Sequence, residues 1–391
     1  MSLRDSAREL PRRALRVAAS ILRRLPVSSS TLGPPKGVIL DLPTWIRLEA
    51  QRSEGFWSRE VRGGEVVEIA PPVIFGQGPV DRLSEARKRS FPGVGLSSML
   101  SARIATRDGV VISHDDRVLR AMTTNWGDPF DQHPIFHVTR LPRVARKMGT
   151  FSSIIFPAAY RNYYHWLHDS LLRLAILVQG SSCSYPVIVP QGPAWIRESL
   201  GMLKPQLEFV EFGEEHWELE RLVLPSRLGT SGFSRPWACD WMREALGVEG
   251  LASGTRRLYI SRAHAVRRRV LNDDHLVGLL EREGFEVVTP ENLDFRGQVR
   301  LFSTASIIVA PHGAGLANLL VSPRGTAVVE LMSPSYVNPC YYSLCGAIGH
   351  RYACVFGTTQ RQEDGPDRAT MGDDMTVTAE LVTRAIRALS A

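Results

Sequence analysis

From Phe151 onward, short apolar runs alternate with amphipathic stretches, and the alternation predicts an α/β chain. "FSSIIFP", "YPVIVP" and "LEFVEF" read as strands, while "NYYHWLHDSLLRLAILVQG" reads as a helix ending at Gly180 and "PAWIRESLGML" as a second helix. Strands that are apolar at consecutive positions are buried on both faces, and helices between them carry the chain across a parallel sheet. The pattern is cleaner after Arg257. "RLYISR" reads as a strand, and Asn272 suits the N-cap of a helix through Glu283, with Gly284 after its end. "FEVVT" is a strand, Asp294 caps a helix over "DFRGQVRLFSTA", and "SIIVA" is a strand followed by a short helix, "GAGLANLL". "TAVVEL" (strand), "PCYYSLCGAIG" (helix), "HRYACVFG" (strand) and an amphipathic "TAELVTRAIRALSA" complete a doubly wound, Rossmann-like pattern.

The first part is less regular. Residues ~40 to 150 carry short β-type runs such as "GEVVEIAPPVIF" and "GVVISH" between loops, and read as β-rich. "SSSTLGPPKG" is a Ser/Pro/Gly linker, and a second boundary falls in "WMREALGVEGLASGTRR". The expected organisation is a basic arm and linker over 1–37, an N-terminal α/β domain over 38–248 and a C-terminal Rossmann-like domain over 249–391. A length of 391 residues suits two such domains.

Charge changes the picture at the N-terminus. The chain carries a net charge of +7, concentrated in "RDSARELPRRALRVAASILRRLP". There Leu15, Val17, Ala18, Ile21 and Leu22 share a helical face among Arg12, Arg13, Arg16, Arg23 and Arg24. Such a helix either lies on an anionic membrane surface or is a solvated arm. It is too short and too interrupted by arginine for a secretory signal, and no stretch approaches the ~18 apolar residues of a membrane span. Five cysteines (Cys183, Cys239, Cys340, Cys345, Cys354) form no C-x-x-C pair, which points away from a disulfide framework or zinc site and toward a reducing compartment.

Ligands of open parallel sheets bind beyond the carboxyl ends of the strands. The residues expected there are Ser261 and Arg262, the basic run Arg267, Arg268 and Arg269, then Thr289, Glu291, the "PHGAG" turn and Glu330. Unpaired N–H groups at a helix start carry partial positive charge, Gly313 and Gly315 admit phosphate oxygens to that backbone, and Arg262 adds a guanidinium. Glu330 is placed to accept from ribose hydroxyls. The set suits a nucleotide diphosphate. Each member alone has a blander reading: a glycine for packing, a salt-bridge arginine, a loop-capping carboxylate. A G-x-G-x-x-G fingerprint is absent after the first strand of this domain, which argues against an NAD(P) oxidoreductase.

A second cluster is "YRNYYHWLHDSLLR". His165 and Asp169 stand four apart and share a helical face, with His168 beside them. Either could be a general base for a substrate hydroxyl, or His165 could cap the helix and Asp169 hold it in place. No further ligands pair with them, so no metal site is expected.

Together the two clusters resemble glycosyltransferase family 61. The resemblance runs from Tyr160 to Leu331, through "NYYHWLHDSLLRL" and then "LYISRAHAVRRRVLNDDHLVGLLEREGFEVVTPENLDFRGQVRLFSTASIIVAPHGAGLANLLVSPRGTAVVEL". It implies a GT-B fold, two Rossmann-like domains facing across a cleft, and an inverting transfer that needs no metal or other cofactor. The donor would be a nucleotide sugar, UDP-linked, held by Ser261, Arg262, Arg267 or Arg268, His312, the Gly313–Ala314–Gly315 backbone, Asn318 and Glu330. His165 or Asp169 would be the base. The acceptor would be a glycan or lipid-linked glycan in surface or capsular polysaccharide synthesis, with a cytoplasmic location at the inner face of the membrane. The alternative is a relative that binds nucleotide or glycan without transfer. Nucleic-acid binding is disfavoured, since the basic residues lack interleaved aromatics.

Overall fold

The computed structural model describes all but residues 1–2, 125–128, 182–184, 204–206, 251, 253, 360–371 and 391, and for residues 3–13 the helical backbone alone. The chain divides into two compact units, one of Met1–Gly63, Gly93–Ile196 and Gln206–Arg227, the other of Gly64–Pro92, Arg197–Pro205 and Leu228–Ala391. The division is not the single cut after residue 248 expected from the pattern. Residues 64–92 and the helix Pro236–Ala245 lie in the second unit. The reason is strand pairing: Val73–Phe75 adds to the second unit's sheet beside Arg351–Phe356, a pairing across nearly the whole chain that no local pattern reports.

The first unit is built on a nine-stranded mixed sheet. Its parallel part follows the expected alternation: Ala145–Ser153, Val187–Pro190 and Phe209–Phe212 are parallel neighbours, and His216–Pro225 joins Ala145–Ser153 in parallel. All four positions of Val187–Pro190 are buried, as a strand covered on both faces requires. The β-rich reading of the preceding region also holds, with Val94–Ala105 pairing antiparallel to His216–Pro225 over nine positions. Met99, Ala102, Ile104, Leu219 and Leu222 from these two strands, with Trp45 and Ile46 from the helix Leu42–Ala50, form the core of this half.

The expected helix of "NYYHWLHDSLLRLAILVQG" is helical throughout but not uniformly α. His165–Ser170 is a π-helical turn, Leu171–Arg173 is 3₁₀, and Leu174–Gly180 is α-helical. π-turns are rare and concentrate at functional sites, because the wider turn re-aims the side chains it carries.

The second unit holds six parallel strands in the order Phe285–Val288, Arg256–Ile260, Ala305–Pro311, Ala327–Met332, Arg351–Phe356, Val73–Phe75. The chain runs outward from Arg256–Ile260 to Phe285–Val288, then returns to the other side with Ala305–Pro311. The direction of winding therefore reverses between the strands ending at Ile260 and Pro311, and that switch point is where an open α/β sheet leaves a crevice. Alternate residues along the strands face opposite layers. Ile307, Val309, Val329, Leu331, Ala353 and Val355 pack with Leu276 and Leu280 of the helix Asp273–Arg282 and Val382 and Ile386 of the helix Ala379–Ser390. Asn272 occupies the N-cap position, but its amide pairs with the backbone of Val377 instead of capping. Asp294 does cap, accepting from Gly297 N–H at 2.6 Å.

Candidate functional site

In the second unit the two loops at the switch point meet. Arg262 follows the strand Arg256–Ile260, and Gly313 follows Ala305–Pro311. A Cβ at Gly313 would lie 2.0 Å from an Arg262 guanidinium nitrogen. The backbone of Gly313 is extended, at φ 175°, so its conformation does not demand glycine; the close approach of Arg262 does. Gly315 is less constrained, since a Cβ there would stand 3.4 Å from Ile260. Ser261, Arg262, Pro290, Glu291, Gly313 and Gly315 line a small recess over the strand ends.

The recess is prepared for an anion. Arg262 donates to the carbonyl of Arg267 at 3.1 Å, while its Nε is buried without a partner among the described residues. Burial, and then the neighbouring charge of Arg268, hold the Arg262 guanidinium below its ordinary pKa. Arg268 sits over the Tyr336 ring at 4.9 Å and donates to the carbonyl of His312 at 3.2 Å. Two cations drawn together beside an unpartnered N–H are stabilised by an anionic guest. The turn that follows, Ala314–Val321, is 3₁₀-helical, and no side chain caps its start at Gly313.

Behind this recess lies a buried charged relay. Glu330, in the strand Ala327–Met332, is fully buried. Its Oε1 is 2.5 Å from His312 Nδ1, and its Oε2 accepts from the Tyr352 hydroxyl at 2.5 Å. Burial and the Glu330 charge push the Tyr352 phenol well above its usual pKa, so it stays a donor. The expectation that Glu330 takes ribose hydroxyls is corrected: no part of it reaches solvent, and both oxygens are occupied. Its contact instead fixes His312 with Nδ1 toward the carboxylate. The His312 ring is held between Tyr336 and Tyr341, at centroid distances of 5.4 and 5.1 Å.

Other expected donor residues brace the recess. Asn318 donates to the Gln298 side chain at 2.7 Å and to the Gly315 carbonyl at 3.1 Å, locking the turn against the helix Phe295–Phe302. Ser261 donates to Asp273 at 3.2 Å, and Tyr259 bonds the same carboxylate. The Arg267 side chain is exposed, and Ala314 is half-buried at the turn's start. Tyr352 and Asp273 carry these contacts and were not singled out in the sequence, because their partners lie 12 to 22 residues away.

In the first unit, His165 Nδ1 is 2.7 Å from Asp169 Oδ2. The side chains keep 18% and 12% of their exposure, so this pair reaches solvent where Glu330 does not. The His165 ring packs on Phe156 at 5.4 Å, and His168 stacks on Tyr164 at 4.7 Å. Two arginines, the buried Arg173 and the half-buried Arg227, stand near Asp169. Arg173 donates to the carbonyls of Ser153, Ile155 and Pro225, tying the ends of two strands to the helical turn. Burial lowers its pKa to about 9 and that of Arg227 to about 10, with Asp169 opposing the shift in both. Asp169 is therefore the counter-charge of a buried cationic surround as well as the partner of His165. Arg173 was quoted in the motif, but its role depends on strand ends that only the fold brings to it.

Residues 163–329, which contain both clusters, match the family model described as Glycosyltransferase 61. The match to glycosyltransferase family 61 thus covers less than half of the chain. Similar curated proteins are the bovine protein O-linked-mannose beta-1,4-N-acetylglucosaminyltransferase 2, 44% identical over 80 residues, covering 19% of this chain and 13% of that protein. The human protein of that name is 42% identical over 109 residues, covering 26% and 18%. The EGF domain-specific O-linked N-acetylglucosamine transferase of Drosophila melanogaster is 36% identical over 100 residues, covering 25% and 19%. The match thus spans less than a fifth of each relative's length.

Among the described residues, no three His, Cys, Asp or Glu gather as a metal site, and no helix is long and apolar enough to cross a membrane. Cys239, Cys340, Cys345 and Cys354 are buried thiols outside any disulfide, and Cys183 lies outside the described residues. Burial pushes the Cys239 thiol up to about 12, and Cys345 and Cys354 well above the usual value, so none of these three is a ready nucleophile.

Proposed function

We propose that the protein is an inverting glycosyltransferase that moves a sugar from a nucleotide-sugar donor to a hydroxyl of a glycan acceptor. The observation that carries this reading is Arg262 laid over Gly313 beside an uncapped turn, at the switch point of the parallel sheet. The match of residues 163–329 to the family-61 model and relatives named as N-acetylglucosaminyltransferases support it. The reading assigns the donor to the second unit and the base to the first, the division of labour of a GT-B enzyme.

In the proposed step, the acceptor hydroxyl attacks the anomeric carbon. Its proton passes to His165 Nε2, because Nδ1 is committed to Asp169. Asp169 orients the ring and stabilises the imidazolium. The bond from the anomeric carbon to the phosphate oxygen breaks with inversion, and the electron pair leaves on the diphosphate. Arg262, Arg268 and the Gly313–Gly315 backbone stabilise that charge. Glu330 and Tyr352 keep His312 oriented beside the same loop.

The donor is proposed to be UDP-linked and the acceptor a surface or capsular glycan. A melting screen over UDP-, GDP- and CMP-sugars, followed by donor hydrolysis without acceptor, tests the reading. Stabilisation by one nucleotide class with slow hydrolysis is expected. No response to any sugar nucleotide would overturn it.

A further inference from the structure

The first helix, Leu3–Arg24, carries a surface that the proposed reaction does not use. Its last turns are fixed to the first unit. Ala19 is fully buried, Arg23 lies 4.4 Å over the Phe136 ring, and Arg23 Nε donates to the Lys36 carbonyl. Lys36 in turn donates to the Leu22 carbonyl at 2.9 Å. The segment beyond is anchored by Ser29, whose N–H and hydroxyl both bond Asp116, itself paired with the buried Arg103.

The outward side carries aliphatic residues interleaved with Arg16, Ser20 and Arg24. Leu15 (51% exposed), Val17 (60%), Ile21 (59%), Leu25 (42%), Val27 (36%) and Leu32 (40%) are uncovered within eighteen residues of one another. Between Leu10 and Leu40 stand Arg12, Arg13, Arg16, Arg23, Arg24 and Lys36 and no acidic residue, so six of the chain's seven net positive charges fall in this stretch. The expected single face containing Ala18 and Leu22 is thus split: that side turns inward with Ala19, while Val17 and Ile21 turn outward.

We propose that this helix and the segment after it dock on an anionic lipid surface. The aliphatic side chains would enter the headgroup boundary while the arginines meet lipid phosphates. A second copy of the chain would oppose +6 with +6, which disfavours self-association through this face. Nucleic acid would leave the aliphatic side chains without a role, and the stretch from Leu10 to Leu40 contains no aromatic residue to stack on bases.

The test is co-sedimentation of the full chain with vesicles of phosphatidylcholine alone and of phosphatidylcholine with phosphatidylglycerol. Binding to the mixed vesicles that weakens with added salt, and none to the neutral ones, is expected. Val17→Asp/Ile21→Asp, at outward positions, lowers the bound fraction about tenfold or more without changing the melting curve. Arg16→Glu/Arg24→Glu does the same. Should the aspartates disturb folding, Val17→Ser/Ile21→Ser gives the same reading. Absence of binding to anionic vesicles at low salt overturns the proposal. So does binding indifferent to these substitutions, or a concentration-dependent dimer that the same substitutions abolish.

Discussion

The histidine–carboxylate pairs His165–Asp169 of the first unit and His312–Glu330 of the second use the same contact through Nδ1 and sit in opposite environments. His165 and Asp169 keep some exposure on a π-turn, with Asp169 near the charges of Arg173 and Arg227. His312 and Glu330 lie inside, with a tyrosine on the second carboxylate oxygen. A carboxylate that reaches solvent can orient a ring that exchanges protons with a substrate. A sealed carboxylate with every oxygen occupied sets one geometry and holds it. The same pair of residue types is therefore proposed as proton-transfer machinery in one unit, and in the other it braces the recess beside Arg262.

The largest test of that contrast is catalytic. His165→Ala and Asp169→Asn are each expected to lower donor turnover roughly a hundredfold to ten-thousandfold while nucleotide affinity stays nearly unchanged. Titration calorimetry with UDP beside single-turnover rates checks this; a parallel loss of affinity would move the pair out of its role as base. The next effect is on stability. Glu330→Ala leaves the His312 and Tyr352 donors buried without their acceptor, at a cost of about 3 kcal/mol or more in urea unfolding. His165→Ala should cost clearly less, and equal losses would erase the distinction between the pairs.

A third histidine sharpens the comparison because no carboxylate partners it. His350 is buried, donates from Nε2 to the Leu319 carbonyl, and is held by burial at a pKa of about 4 against 6.5. Folded, it binds fewer protons than unfolded, so its contribution is complete above pH 6.5 and is lost as the pH falls toward 4. The shift corresponds to about 3 kcal/mol at most. His350→Gln should flatten the acid side of the stability curve over that window, and an unchanged slope would assign acid sensitivity elsewhere. The smallest effect is local: Gly313→Ala displaces Arg262 and should weaken UDP or pyrophosphate binding roughly tenfold to a hundredfold with little change in melting. Unchanged affinity would remove Arg262 from the recess.

Much of the second unit's sheet was legible because its strands are continuous apolar runs with caps and glycines between them, as at Asp294 and Gly284. The pairing of His165 with Asp169 was legible from a spacing of four. The π-turn was not, because nothing in "HWLHDS" distinguishes a wider turn from an α-helical one. Glu330 was misread for a related reason. A carboxylate near a strand end is expected to be solvated, and only the neighbouring strand's Tyr352 and the loop's His312 make its burial tolerable.

The sequence by itself determined which residue types follow each strand, the alternation of strands and helices in the second unit, and the family to which residues 163–329 match. Those properties are local, since periodicity, capping and turn chemistry act over a few residues. Tertiary structure decided that Val73–Phe75 completes the second unit's sheet, that Arg173 ties strand ends to the π-turn, and that Gly313 is needed for Arg262 and not for its own backbone. Those properties depend on which distant backbone groups and charges are left to satisfy one another once the sheets have formed, and no short stretch of the chain contains both partners.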